Sequence, residues 1–325
     1  MGAAPAARAG HPGKVAMTGH RSAIHVVAAI GATLCWGAGM TLTKLALEHF
    51  KPAPLLVVQL LSSIAFLILI LLAMGIRTTS WRQLLRHSRL GILEPGLAYF
   101  LGLEGLNRIS AAEAVVLSST ESIAIVLLAW VLAIERPRGV VLLLAVVGTA
   151  GAVLVAGSHL QVAGDALSLW GDVLVLGGVL SAAFYVVWSA RLASVTEPIP
   201  ALIGQQVVAV LFALGLHLVL GDGEFSVPSV STYGWVLAAT SGIVQYACAF
   251  WLYLWALKGL RADEAGLYLS LTPVFGLMVA IPVLGERLTV MQWTGTIVII
   301  GTIVVMTRIR EKPQVAEEGS AQGLV

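Results

Sequence analysis

Residues Ser110–Arg136 read SAAEAVVLSSTESIAIVLLAWVLAIER, an apolar run with one carboxylate, Glu121, near its centre. At the 1.5 Å rise of a helix, about 25 such residues span a hydrocarbon core about 30 Å thick. A carboxylate at that depth costs roughly 2.5–3.5 kcal/mol on insertion scales, so it must be protonated, partnered or hydrated. The same stretch returns 151 residues later, at Arg261–Arg287, as RADEAGLYLSLTPVFGLMVAIPVLGER. That shift aligns Ala111/Ala262, Glu113/Glu264, Ala114/Ala265, Ser119/Ser270, Ala129/Ala280, Glu135/Glu286 and Arg136/Arg287. Seven identities under one shift mark an internal repeat.

Composition sets the class. Of 325 residues, 58% are hydrophobic and 11% charged, against about 25% charged in soluble domains. The fold class is therefore an all-α integral membrane protein. Residues 1–22, MGAAPAARAGHPGKVAMTGHRS, are small and basic and are expected to form an unstructured tail, with Met17 as a second candidate start. The following apolar run is too long for a signal-peptide core and reads as a retained helix. The two cysteines, Cys35 and Cys248, lie inside apolar runs, and no Cys/His ligand spacing exists, so neither a disulfide nor a metal site is expected. Seven scattered histidines without an HExxH pair argue against a membrane-embedded lipid-modifying enzyme, and no GxxxxGK[ST] loop is present for ATP. A channel would need rings of like charge or filter carbonyls, which the pattern lacks.

Ten apolar segments are predicted at about 23–47, 53–76, 90–107, 110–134, 138–157, 168–192, 199–220, 232–257, 262–284 and 289–308. If all ten cross, 15 of the Lys and Arg residues fall on the side of the termini and four on the other. That bias predicts a multi-pass protein of the inner (plasma) membrane with both termini cytoplasmic. Shifts of 146 and 147 carry the repeat further, pairing Gly31/Gly178, Pro52/Pro198, Gln59/Gln205 and Phe66/Phe212. The chain then reads as two five-helix repeats, 23–157 and 166–308, followed by a disordered cytoplasmic tail at 309–325. Five is odd, so the second repeat enters the membrane inverted, an arrangement that puts a shared site near the midplane.

Three polar pairs occupy matching places in the two repeats: Gln59/Gln205, Glu94/Gln245 and Glu121/Thr272. Matched intramembrane polar groups suggest a cavity on the pseudo-symmetry axis, although the two glutamines could equally serve as hydrogen-bonded links between helices. Glu121 and Glu94 are the candidates for proton handling. Tyr246 belongs to an aromatic run with Phe250, Trp251, Tyr253 and Trp255. That run reads either as packing with an interfacial belt or as the wall of a pocket for an apolar or cationic solute. Trp36, Tyr99 and Tyr268 are further cavity candidates. Pro95, Pro273 and Pro282 interrupt helices 3 and 9 and are candidate hinges. Glu135-Arg136 and Glu286-Arg287 close helices 4 and 9 and read as structural clamps or gates. Lys44 is expected to snorkel, and Asp172 to sit at an interface.

The pattern resembles the EamA family of the drug/metabolite transporter superfamily over roughly residues 25–308. The resemblance is carried by CWGAGMTLTK at 35–44, SSTES at 118–122 leading to AIER at 133–136, and SLTP at 270–273 leading to LGER at 284–287. Family members often carry a glutamate before a proline in helices 4 and 9, and Glu121 matches that glutamate. Ser122 stands where the proline would be, so helix 4 is expected to be less kinked than helix 9. The resemblance implies a ten-helix secondary transporter, not an enzyme, that moves a small metabolite such as an amino acid by alternating access. Efflux, with coupling to protons at Glu121, is the expected mode; a polyspecific extruder of drugs and lipophilic cations is the alternative. Its partners would be a small-molecule substrate, membrane lipid and protons, in a monomer or homodimer, with no nucleic acid and no cofactor.

Overall fold

The computed structural model of the chain describes residues 14–75, 85, 88–132, 137, 139–156, 166–189, 198–220, 230–260, 268, 269 and 271–311. These residues are helical apart from short connections. The elements are α1 (Lys14–Ala46), α2 (Pro52–Met74), α3 (89–106), α4 (Ala111–Val131), α5 (Gly139–Ala156), α6 (Ala166–Ser189), α7 (Pro198–Leu220), α8 (Thr232–Ala256), α9 (Thr272–Leu284) and α10 (Val290–Glu311). Among the described residues six helices are long and apolar enough to cross a membrane, and three more are shorter and apolar. The first helix begins at Lys14, nine residues before the expected start at 23; after Pro12-Gly13 only Gly19 opposes helix in that stretch.

Local chemistry sets the helix ends. Pro52 opens α2 where its missing N–H costs nothing, and Gly75 closes it in the left-handed region at φ 62°. Ser110 caps α4 by accepting from the Glu113 N–H at 3.1 Å. Thr289 and Gln292 form a reciprocal capping box on α10 (2.8 and 3.2 Å).

Polarity is distributed inside out relative to a soluble fold. The outer surface is apolar, with Val219 and Val290 81% and 85% exposed, while Thr43, Gln59, Glu113, Gln206, Ser241 and Gln292 are buried. Apolar lipid tails outside and hydrogen-bonded polar groups inside are what a bilayer selects. Gln292 Nε2, for example, donates to Glu113 Oε1 at 2.9 Å and joins α10 to α4.

The packing map repeats itself when each helix is exchanged for the one five places away. The α1–α9 contact becomes α6–α4, α3–α6 becomes α8–α1, and α2–α8 becomes α7–α3. The α2–α7 and α5–α10 contacts map onto themselves. Individual close approaches obey the same exchange. Gly91 lies against the Gln205 carbonyl, and Gly242 lies against the Gln59 carbonyl. A Cβ at either position would overlap that oxygen. Replacing Gly242 or Gly91 with Ala is therefore expected to cost about 1–3 kcal/mol by overpacking, read as a lower melting temperature of the detergent-purified protein. A melting curve unchanged by both substitutions would contradict the close packing.

The pair α5–α10 meets along small residues, where Gly151 and Gly295 each face the other's carbonyl, and its outer side carries Leu143, Val146, Val153 and Ile297 exposed. It forms the edge of the bundle, away from the polar centre.

Candidate functional site

Irregular turns in α3, α4 and α8 lie at places related by the repeat, and the described helix of α9 starts at a fourth. In α3 the backbone turns extended at Glu94 (φ −142°, ψ 124°), because the residue before a proline is driven out of the helical region. Its counterpart 151 residues on, Gln245, lies in a stretch of wider turns at Ile243–Cys248 that needs no proline. In α4 one helix ends at Ser118 and the next begins at Glu121. The described helix of α9 begins at Thr272, again 151 residues on, with Pro273 in its first turn.

The helical ladder of α4 is interrupted at Ser119-Thr120 without a proline, the backbone of both residues staying in the right-handed helical region. Ser119 and Thr120 hydroxyls donate back to the carbonyls of Val116 and Leu117, both at 2.6 Å. Such bonds compete with the helical ladder and replace the absent proline as the interrupting agent.

Glu94 and Glu121 lie within electrostatic reach of each other, on the broken parts of α3 and α4. Both side chains are half-buried. Tyr99 lies near the Glu94 carboxyl. Tyr185 lies near Glu94, and Tyr253 near Glu121. Among the described residues no lysine, arginine or histidine pairs with either carboxyl; the ion pair present there is Glu104–Arg108 at 2.6 Å, at the end of α3.

A polar chain continues from this point. Tyr99 stacks on Tyr246 (centroids 4.6 Å apart, 13° between planes). The Tyr246 hydroxyl donates to Gln59 Oε1 at 3.3 Å. Gln59 Nε2 donates to Thr43 Oγ1 at 3.0 Å and to Ser241 Oγ at 2.8 Å. Thr43 Oγ1 in turn donates to Gln245 Oε1 at 2.8 Å. Gln59 therefore uses both its N–H donors and its carbonyl, and ties α1, α2 and α8 together. Its repeat partner Gln205 meets the Tyr185 hydroxyl through both amide atoms (3.0 and 3.2 Å). Both glutamines thus bridge helices. Trp36 makes edge contacts with Phe250 (5.1 Å) and Tyr253 (5.6 Å).

Other expected residues lie elsewhere. Tyr268 packs with Ala28, Ala29, Ala256 and Leu260 in a separate apolar cluster. Pro282 is exposed in the last turns of α9, which runs through it to Leu284. Asp172 is fully buried, near the start of α6. Glu135 and Arg136 lie outside the described residues.

Glu286 and Lys44 form a junction that the sequence reading only half anticipated. Gly285 at φ 65° turns the chain out of α9, and both Glu286 oxygens accept from the N–H groups of Ala111 and Ala112 at 2.7 Å. The carboxylate thus sits on the first turn of α4, where the helix dipole favours negative charge. Lys44 does not snorkel. Its Nζ donates to the carbonyls of Leu106 and Ile109, both at 2.6 Å, at the end of α3. Arg287 is exposed.

Tyr185, Thr43 and Ser241 were not singled out by sequence reasoning. Thr43 falls inside the quoted CWGAGMTLTK stretch, which is the one signal that marked it. Tyr185 and Ser241 carry no spacing that separates them from ordinary helix residues. Three His, Cys, Asp or Glu side chains grouped to hold a metal ion do not occur among the described residues.

Comparison with known proteins gives a consistent picture. The model of the family described as EamA-like transporter family matches residues 23–157 and again 169–308. The permease-like protein YdzE of Bacillus subtilis (strain 168) is 32% identical over 71 residues, 22% of this chain and 91% of that protein. A solved crystal structure superposes with a TM-score of 0.61 at 20% identity, covering 89% of this chain and 99% of the other, which shows a shared fold.

Proposed function

This chain belongs to the EamA-like transporter family of multi-pass membrane proteins, and on that premise we propose that it is a secondary transporter carrying a small metabolite across the inner membrane by alternating access. The observation that supports the reading is the repeat-related placing of irregular turns in α3, α4 and α8 and of the start of α9, with Glu94 and Glu121 on the first two. Interrupted helices at a repeat interface are how carriers bring solute and ion to the middle of the bilayer. In this reading the chain crosses ten times as two inverted repeats, 23–157 and 166–308. The exchange of helices in the packing map supports two equivalent halves, and an odd number of crossings per half requires the inversion. Both termini are cytoplasmic, as the distribution of Lys and Arg supports.

The breaks at Glu94-Pro95 and at Thr272-Pro273 serve as hinges, and Pro282 adds a second flexible point in α9. Rocking of one half against the other opens the cavity to each face in turn. In this reading the Glu286 junction with α4 serves as a gate on the face opposite the termini. Glu121 binds a proton in one orientation and releases it in the other, with Glu94 beside it sharing the charge. The direction is outward, driven by the proton gradient, and ATP takes no part.

The test is an untargeted comparison of metabolites inside and outside cells that lack, carry or overproduce the protein. One small solute is expected to accumulate inside the deficient cells and outside the overproducing ones. Identical profiles in all three would refute a metabolite carrier.

A further inference from the structure

Resting on the transport reading, we infer that the seam between α2 and α7 opens during the transport cycle, and that Ser63 and Gln206 then line the path of the solute.

Three helices bring these two side chains to one level. Gly242 of α8 lies on the Gln59 carbonyl of α2, and Ala247 of α8 packs with Leu67 of α2 and Leu202 of α7 in one apolar cluster. Ser63 stands midway between Gln59 and Leu67 on the same face of α2, because residues four apart lie one above the other on a helix. It is therefore level with the irregular turns of α8 at Ile243–Cys248. Gln206 stands one turn after Leu202 on α7, and its Nε2 donates to the Tyr246 carbonyl in those same turns at 3.2 Å. The junction of α2, α7 and α8 holds both. It lies directly behind Tyr246, whose hydroxyl donates to Gln59 Oε1 at 3.3 Å.

Ser63 and Gln206 are 0% and 1% exposed, yet Ser63 Oγ and Gln206 Oε1 have no hydrogen-bond partner among the described residues. Their neighbours differ: Gln59, Thr43 and Ser241 are all bonded to one another. A buried oxygen without a partner destabilises the conformation that holds it. Any arrangement in which the same atoms meet water or a polar solute relieves that cost, and so gains population relative to this one.

The seam is placed for such an exchange. The α2–α7 contact maps onto itself when the halves are exchanged, so it lies between them and shifts when one half rocks against the other. What its opening uncovers is an amide and a hydroxyl, where a seam built to stay shut would carry apolar side chains. Intramembrane polar groups face a bundle interior or a water-filled path. Gln206 Oε1 offers an acceptor there, and the Ser63 hydroxyl offers both a donor and an acceptor.

The test is thiol accessibility. Ser63→Cys is made in a chain whose Cys35 and Cys248 are replaced by alanine, and membranes carrying it are treated with the water-soluble reagent methanethiosulfonate ethyltrimethylammonium. The thiol is expected to be modified in the folded protein, and Gln206→Cys gives the same reading from the α7 side. A separate chain carries Leu67→Cys with Leu202→Cys. Oxidising that pair to a disulfide is expected to stop movement of the solute found by metabolite comparison, and reduction to restore it. Ser63→Ala removes an unpartnered hydroxyl and is expected to melt no lower than wild type. Thiols at 63 and 206 that react only after unfolding, transport that continues across the disulfide, or a lower melting temperature of Ser63→Ala each overturn the inference. Labelling needs no solute. A chain that moves no metabolite fails the comparison of cells while the seam still opens, and a carrier whose thiols stay protected loses this inference alone.

Discussion

Glu121→Gln is expected to abolish proton-driven efflux, with a loss of at least about tenfold in rate, the equivalent of about 1.4 kcal/mol. The amide matches the carboxyl in size and keeps one acceptor oxygen, so the broken helix start at Glu121 and its packing persist. What disappears is the capacity to bind and release a proton between the two halves. In inside-out membrane vesicles with an imposed pH gradient, movement of the solute identified by metabolite comparison reports on this directly. The variant should retain wild-type abundance and melting behaviour while its response to the gradient is lost. Glu94→Gln serves as the companion. Because the two carboxyls feel one another's charge, removing one relieves the repulsion on the other, and two sites that interact this way titrate as a pair. Glu94→Gln should therefore shift the pH at which efflux is half-maximal, and Glu121→Gln should remove the dependence. Unaltered gradient-driven efflux in Glu121→Gln takes this residue out of the mechanism.

Glu286→Ala is expected to produce the largest loss of stability, about 2–3 kcal/mol, because two charge-assisted hydrogen bonds go at once. The N–H groups of Ala111 and Ala112 lose their acceptor, and α4 loses the negative charge on its first turn. Lys44, within electrostatic reach of Glu286, also loses a compensating charge. Thermal unfolding in detergent should show a drop of several degrees for Glu286→Ala. Glu286→Gln, which keeps an acceptor oxygen without the charge, should fall between the two. Arg287 is exposed and serves as the control: Arg287→Ala should melt near wild type. A Glu286→Ala protein as stable as wild type would mean that the contact with α4 contributes nothing.

The repeat was legible because it is written in residue identities at a constant offset. The offset of 151 residues drawn from Ser110–Arg136 also relates the helix starts at Glu121 and Thr272, and the irregular turns at Glu94 and Gln245. Periodicity and composition sufficed for the membrane class, since no amphipathic pattern hides 58% hydrophobic residues in water. The turn in α4 carries no proline to announce it. The hydroxyls of Ser119 and Thr120 do the same work through bonds to Val116 and Leu117, a local signal that is present in the sequence but weak.

Contacts between distant helices were not legible, because no local pattern encodes them. Tyr246 and Gln59 are 187 residues apart, and Glu286 and Ala111 are 175 apart. Which hydroxyl meets which amide depends on helix rotation and crossing, set by close approaches such as Gly91 on Gln205 and Gly242 on Gln59. Lys44 illustrates the limit. A lysine at the end of an apolar helix reads as a snorkelling side chain, and only the arrival of the α3 terminus beside it makes it a cap.

The sequence by itself determined that this is a membrane protein built from a repeated helical unit, and that Glu94 and Glu121 lie within apolar segments where a bare charge is costly. Hydropathy and identity at fixed spacing are local properties, so one chain suffices to reveal them. Only the tertiary structure decided that Tyr99 stacks on Tyr246, that Gln59 ties α1, α2 and α8 together, and that Glu286 holds α4. Those facts come from how packed helices face each other, and that depends on the shapes of many side chains acting together.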